Sequence, residues 1–542
     1  MTRQIQGLDT QSVRASRRTV LQGLAHAAGL GAAFAAGAPN ALANKQPAGD
    51  LPLDAVTQFD DVITLARALS KAAARPLNTL PETLGTLTYD DYRAIRFRTS
   101  EGLWASSSAP YSVDYFHPGG LFRVPVKLFE LTGSASKAID YTPDFFTYPE
   151  GLSLDPSSLA NDYAGFRVRA PLNRSAVMDE FLVFLGASYF RAVAKDQLYG
   201  LSARGLSIGT GGPAPEEFPV FTAFWLKRPG GLDAPLEIFA LMESQSVTGA
   251  YRFLTKPGPT TEMTVTARVF SRTENTDLGW APLTSMFYFS PSDRPGIYDH
   301  RPAVHDSDGL LIETAAERIW RPLINPPSLM LSDFSFDAAP TFSLEQRARA
   351  FADFEDDEAL YHKRPSARVE PLGDWGRGAV RLVEIPTKDE TFDNVVAFWR
   401  PDRRQPAGAE SAFAYRLTWG QPQAANLARV AATRVGETFD KTAHQFIVDF
   451  AEGGIAQRAA RADQPITAEI QSTYGVAETP ALRWIAERNM LRVGFSYRPQ
   501  EREPSDIRMI LKQEGVPVSE TWIYRWAYDP SLSLDPDIRS AG

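Results

Sequence analysis

Phe413-Ala414-Tyr415-Arg416-Leu417-Thr418-Trp419 carries a large apolar side chain at every second position, with small or polar residues between. A period of two places those four side chains on one face of a strand, whereas a helix would scatter them around its axis. The same alternation recurs at Phe446, Val448 and Phe450, and in runs at 466–473, 491–497, 507–512 and 521–526. About six turn-bounded strands in roughly 130 residues is the pattern of an immunoglobulin-like sandwich.

Upstream the texture is also β. Ile95-Arg96-Phe97-Arg98, Leu121-Phe122-Arg123-Val124-Pro125-Val126 and Phe166-Arg167-Val168-Arg169 alternate or nearly alternate, with Pro and Gly between them, and the pattern runs on to Trp399. The clearest helix lies at 59–69, where apolar residues return at helical spacing before Pro76. Pro401-Asp402-Arg403-Arg404-Gln405-Pro406-Ala407-Gly408-Ala409-Glu410 is polar and rich in chain breakers, which reads as a linker. The expectation is a large β-rich domain over 50–400 and a smaller immunoglobulin-like one over 411–530.

Composition agrees with a mainly β chain. Among 542 residues there are 40 Pro, 38 Gly, 32 Phe, 18 Tyr and 10 Trp, a mix suited to many short strands joined by turns. Cysteine is absent, so disulfides, thiolate metal sites and cysteine nucleophiles are excluded. Residues 1–43 read as a twin-arginine (Tat) export signal: Ser16-Arg17-Arg18-Thr19-Val20-Leu21 precedes an uncharged Ala- and Gly-rich stretch ending in Ala41-Leu42-Ala43. Removing that segment takes away four Arg and one Asp and moves the net charge from −9 to −12. So acidic a surface argues against nucleic acid and anionic lipid and is indifferent to sugars.

No phosphate-binding glycine loop, zinc-protease motif or dinucleotide fingerprint occurs, and neither a cofactor nor a metal is expected. Asp306-Ser307-Asp308-Gly309 opens like a calcium loop, yet Leu310 and Leu311 stand where a ligand and a turn glycine are needed. Gly205-Leu206-Ser207-Ile208-Gly209 fits the esterase pattern, but Thr210-Gly211-Gly212-Pro213 cannot continue the required helix. Two polar clusters remain. The first runs from Asp293 to Leu323 and includes Asp299, Arg301, His305, Asp306, Asp308, Trp320 and Arg321. The second runs from Tyr361 to Trp399 and includes Arg364, Trp375, Glu390 and Asp393. Carboxylic acids, arginines and aromatics together are what glycosidic chemistry requires, although charged loops are commonly no more than solvated ion pairs.

The runs Phe184-Leu185-Gly186-Ala187-Ser188-Tyr189-Phe190-Arg191-Ala192, Tyr199-Gly200-Leu201-Ser202-Ala203-Arg204-Gly205, His305-Asp306-Ser307-Asp308-Gly309-Leu310, Trp320-Arg321-Pro322-Leu323 and Gly373-Asp374-Trp375-Gly376 resemble the periplasmic glucan biosynthesis protein G/D family. The resemblance covers about residues 50–530, and the Tat-type signal is more similar to the D branch. It implies a galactose-mutarotase-like N-terminal β-sandwich followed by an immunoglobulin-like domain. It also implies action on the β-1,2-linked backbone of osmoregulated periplasmic glucans, by anomer-inverting hydrolysis or by transglycosylation; a glucan-binding protein without catalysis is the alternative. Carried over by resemblance, Asp393 matches the general acid, Asp306 the general base and Tyr361 the proton-relay tyrosine. Asp393 then has to hold a proton when substrate binds, with Glu390 expected as the acid beside it. Trp375, Trp320 and Tyr361 are expected to border a groove for sugar rings, with Glu390, Arg321, Asp308 and Arg364 binding substrate. Phe392 stands where some relatives have a polar residue. The implied partners are the glucan, a membrane-bound glucan synthase and a second copy of the chain, in the periplasm.

Overall fold

The computed structural model describes residues 52–528, apart from 78–79, 81, 153–161, 232, 275–276, 295 and 424. The expected export signal at 1–43 lies outside the described residues. The chain is mainly β, as its alternation requires, and two large sheets dominate. One has ten strands and contains, as hydrogen-bonded neighbours, Gly165–Ala170, Asp179–Leu185, Tyr189–Ala192, Ser202–Arg204, Leu278–Ser285, Val395–Pro401, Gly378–Glu384 and Met330–Phe336. The other has fifteen, with Val220–Lys227, Leu236–Glu243, Val247–Lys256 and Thr261–Ser271 as a meander in its middle.

The two sheets share a core in which aromatic rings interleave. Phe184 of the ten-stranded sheet meets Phe253 and Phe224 of the fifteen-stranded sheet edge-on, with ring centroids 5.0 and 5.3 Å apart. Such pairs add about 0.5–1.5 kcal/mol each beyond the area they bury. The outer face of the meander is covered by the helix Phe59–Ser70, whose Val62, Leu65, Ala66 and Leu69 are buried against Trp225, Phe239 and Leu241. Each large aliphatic chain buried there contributes roughly 1.5–3 kcal/mol. The helix begins where Asp61 Oδ2 accepts hydrogen bonds from the backbone N–H of Thr57 (2.9 Å) and Gln58 (3.1 Å).

The expected division at 401–410 needs correction. Strand Glu410–Gly420, which holds the Phe413–Trp419 alternation, lies inside the fifteen-stranded sheet. It pairs with Thr261–Ser271 on one side and Ser366–Leu372 on the other. Its rings Phe413, Tyr415 and Trp419 belong to the large shared core. The polar segment before it is therefore the crossing from Val395–Pro401 in one sheet to Glu410–Gly420 in the other. The chain leaves that sheet only after Gly420.

From Arg429 onward a second core forms. The strands Arg429–Glu437, His444–Ala451 and Met490–Arg498 pair in a five-stranded sheet that also takes in two short strands. This sheet packs through Phe446, Val448, Phe450 and Phe495 onto Ile507, Met509, Leu511 and Trp522. The layer opposite consists of Ile466–Ser472, Ser505–Gln513 and Thr521–Trp526, and it continues the large sheet because Thr521–Trp526 pairs in parallel with Arg318–Pro322.

A buried ionic network fastens the two cores. Arg347 donates to both carboxylate oxygens of Glu520 (2.8 and 3.0 Å), to Glu345 Oε2 (2.8 Å) and to the carbonyl of Val430 (3.0 Å). Its guanidinium lies 3.5 Å from the ring centre of Trp320. Burial alone would raise the Glu520 carboxyl, but Arg347, the Val430 N–H and Arg318 outweigh it and hold the group below its ordinary value. A carboxyl lowered by folding stabilises the protein above its unfolded value of about 4.3 and loses that contribution as pH falls through the folded value. The urea midpoint is expected to drop on acidification below about pH 5, and Glu520→Gln is expected to start lower at pH 7 and to show a shallower drop. Parallel slopes in the two proteins would refute the assignment.

Candidate active site

One peptide unit, Met286–Phe287, bonds the chain at Asp306 on one side and at Asn394, the neighbour of Asp393, on the other. Strand Val304–His305 pairs with Phe287–Phe289, and the N–H of Asp306 donates to the carbonyl of Met286 at 2.8 Å. Next along, the N–H of Phe287 donates to Asn394 Oδ1 at 2.8 Å, while Asn394 Nδ2 donates to the carbonyl of Ile385 at 2.9 Å. The carbonyl of 286 and the N–H of 287 belong to one trans peptide and point opposite ways, so the chain at 306 and the chain at 394 are held on its two sides. The loop before Asn394 is closed at its base by Asn325, which bonds the backbone of Thr387 in both directions (2.9 Å each). Strand Val395–Pro401 follows, almost wholly buried, so the loop stands on rigid structure.

Each aspartate is buried against an arginine. Asp393, 7 % exposed, accepts from Arg191 Nη2 at 3.0 Å. Arg191 comes from Tyr189–Ala192, a strand buried at every position. Glu390 is the acid expected beside Asp393; the partner at bonding distance of Asp393 Oδ2 is the arginine Arg191, while Glu390 bonds Arg301 and Tyr361. Asp306, 3 % exposed, pairs with Arg364. Gly200 permits that arginine's approach, because a Cβ at position 200 would sit 2.9 Å from Arg364 Cβ.

Tyr361 links the Asp306–Arg364 pair to Glu390. It opens the short helical turn Tyr361–Lys363, preceded by Leu360 in the left-handed region at φ 51°, a strained conformation for a branched residue. Its ring lies 4.2 Å from the guanidinium carbon of Arg364, and its hydroxyl donates to Glu390 Oε2 at 3.2 Å. Burial, opposed by Arg364 and reinforced by Glu390, Asp306 and Asp356, pushes the phenol well above its ordinary value, which keeps it a proton donor at neutral pH. Glu390 also accepts from Arg301 (2.7 Å), which binds Asp299 (2.8 Å) and Asp356 (2.9 Å) as well. Hydrogen bonding from Arg301 lowers Asp299 to about 2, and it outweighs burial to lower Asp356 too. Two exposed rings stand beside this network: Tyr298, fully exposed next to Asp299, and Phe351, edge-on to His362 at 5.7 Å.

The other residues singled out from the sequence have structural surroundings. Trp375, expected at a sugar groove, is 5 % exposed within the large core, where it packs edge-on against Trp280 and donates to the carbonyl of Ala414 at 3.0 Å. Trp320, also expected there, is 3 % exposed and lies between the second core and Arg347. Apolar ring area buried this fully is core packing, so neither ring offers a stacking face. Arg321 and Glu384 form a pair at 2.8 Å that is buried on both sides and has no open face for substrate. Asp308 accepts from the backbone N–H groups of Arg347 and Ala348 and faces His305 Nε2 at 3.4 Å, which makes it a clamp on the segment 346–348. Sequence reasoning gave no role to Arg191, Arg301 or Asp356. Arg191 carried a signal: an arginine inside an apolar strand demands a buried acid.

Among the described residues no group of three or more His, Asp or Glu is placed to hold a metal ion, and no helix is long and apolar enough to cross a membrane. Residues 57–526 match the family described as "Periplasmic glucan biosynthesis protein, MdoG". The chain is similar to "Glucans biosynthesis protein G" of Vibrio cholerae serotype O1, 42 % identical over 475 residues that cover 86 % of each protein. It is 41 % identical to the protein of the same name from Cereibacter sphaeroides over 538 residues, 95 % of this chain and 98 % of the relative. The Bradyrhizobium diazoefficiens protein of that name is 41 % identical over 469 residues, 85 % of this chain and 92 % of the relative.

Proposed function

The chain belongs to the periplasmic glucan biosynthesis protein MdoG family, and from that premise we propose that it acts on the β-1,2-linked backbone of periplasmic glucans as an inverting glycoside hydrolase or a transglycosylase. The observation that carries the reading is that Asp306 and Asn394, the neighbour of Asp393, are 88 positions apart in sequence yet bonded to the two sides of one peptide, Met286–Phe287. Inversion needs an acid on the leaving oxygen and a base for the nucleophile on the opposite ring face, with carboxyls roughly 6.5–9.5 Å apart. Asp393 donates to the glycosidic oxygen once its pair with Arg191 opens. Asp306 accepts the proton of the attacking water, directly or through Tyr361. In transglycosylation a sugar hydroxyl takes the place of that water. Tyr298 and Phe351 supply the exposed ring faces that Trp375 and Trp320 do not.

The D-branch assignment and Tat export rest on Ser16-Arg17-Arg18-Thr19-Val20-Leu21, and a glucan synthase and a second copy of the chain as partners rest on family resemblance. Incubating the purified protein with linear β-1,2-glucan tests the reading. Shorter chains are the expected product of hydrolysis, and rings or lengthened chains of transfer. Binding with no change in the glucan would favour the second reading, a glucan-binding protein that shapes the polymer without cutting it.

A further inference from the structure

The outward face of the C-terminal strand layer forms a groove away from the carboxylate cluster. Strands Ile466–Ser472, Ser505–Gln513 and Thr521–Trp526 turn Ile507, Met509, Leu511, Trp522 and Tyr524 into the second core. Strand alternation therefore points the residues between them outward. The register sets Gln471 opposite Arg508, Arg508 opposite Ile523, and Asp506 opposite Arg525. Two concavities, of about 600 and 410 Å³, open on this face and share Gln471 and Arg508 as lining. The larger is walled by residues 331–334 of Met330–Phe336, the last strand of the ten-stranded sheet. The smaller reaches the turn at 316–318, a hairpin length from Asp308; five strand residues at about 3.3 Å each make that roughly 17 Å.

The lining is charged yet self-neutralising. Arg508 pairs with Glu317, Arg525 with Asp506 at 2.7 Å and Lys512 with Glu469 at 2.6 Å. The two remaining charges, Asp333 and Arg318, are held by Arg381 and by Glu313 and Glu520. Four acids and four bases cancel along the groove, on a chain whose overall charge is −9. An ionic ligand would have to break these pairs. A neutral, hydroxyl-rich chain would not: it can bond the amide of Gln471 and the hydroxyls of Ser472 and Thr473 while packing on Phe334 and Ile523.

We propose that this face is a second glucan-binding groove, which holds a neutral stretch of the polymer away from the candidate catalytic cluster. The proposal rests on the family's link to glucans and on none of the catalytic assignments. It is tested by hydrogen–deuterium exchange with and without saturating linear β-1,2-glucan, in the unmodified protein and in Gln471→Trp, whose indole would fill the lining shared by both concavities. Protection at 331–334, 471–473 and 506–510, lost in Gln471→Trp together with at least a tenfold rise in Kd for long glucan, is the expected result. Near-UV circular dichroism checks that the variant folds, and turnover of a short oligosaccharide is expected to be unchanged. Protection confined to 299–306, 356–364 and 386–394 would overturn the groove and leave the catalytic reading standing. Protection in the groove by a protein that does not process glucan would support the groove and count against catalysis. Gln471→Trp binding long glucan with unaltered affinity, or a free extended peptide protecting 331–334 where glucan does not, would overturn the proposal.

Discussion

Turnover of linear β-1,2-glucan is expected to fall about 10²–10⁴-fold in Asp393→Asn, the usual contribution of a positioned general acid, while glucan binding survives. The amide keeps the shape of the carboxyl and an oxygen for Arg191 Nη2, which now bonds Asp393 Oδ2 at 3.0 Å. What it lacks is a transferable proton. Asp306→Asn is expected to act likewise, because the amide cannot take a proton from the nucleophile although it can still face Arg364. The two losses should not multiply in the double variant, since acid and base serve one step. Unaltered thermal unfolding in both single variants would separate lost chemistry from lost structure. Near-normal turnover in Asp393→Asn would remove the acid assignment outright.

The largest effect on stability is expected where a buried pair is broken from one side. Glu384 is fully buried and ends strand Gly378–Glu384, immediately before the loop that carries Glu390 and Asp393. It accepts from Arg321 Nη2 at 2.8 Å and from the N–H of Ile324 at 2.9 Å. Glu384→Ala leaves the Arg321 guanidinium, 1 % exposed, without its carboxylate. Removing one partner of a buried pair costs about 3–5 kcal/mol, whereas replacing both with apolar residues of similar volume is often nearly neutral. Denaturant unfolding is therefore expected to show that loss in Glu384→Ala and to recover most of it in the double variant Glu384→Met, Arg321→Met. A double variant as unstable as the single one would mean the pair is not the origin of the loss.

Alternation identified strands where burial on one face of a sheet imposes it residue by residue; Leu121–Val126, expected as a strand, forms only isolated bridges at Phe122 and Val126, because its Pro125 cannot donate to a ladder. Phe166–Arg169, 507–512 and 521–526 all fall in strands, and the helix expected at 59–69 forms as Phe59–Ser70. What alternation does not carry is which strands pair. Phe413–Trp419 reads the same whether its neighbours follow it or precede it by some 150 residues, so the segment at 401–410 looked like a domain linker when it crosses between sheets. The site was legible in part for a similar reason. The charged clusters contain Asp306, Tyr361, Arg364, Glu390 and Asp393, and the roles of Asp306, Tyr361 and Asp393 come from the family resemblance; Tyr361 contacts Arg364 and Glu390, Arg364 pairs with Asp306, and Asp393 pairs with Arg191. Trp375 and Trp320 sit among charged residues in sequence but project inward from their strands and turns, and local composition says nothing of that direction. Arg191 was hidden by the opposite effect, since its neighbours are apolar and its acid lies 202 positions away.

A crystal structure of Asp393→Asn with linear β-1,2-glucan bound tests the central claim most directly. The account predicts a glycosidic oxygen beside the amide introduced at position 393, Asp306 on the opposite face of the adjoining sugar ring, and the two side-chain ends roughly 6.5–9.5 Å apart. A glucan bound with no glycosidic bond between residues 306 and 393, or with both side chains on one face of the ring, would contradict it.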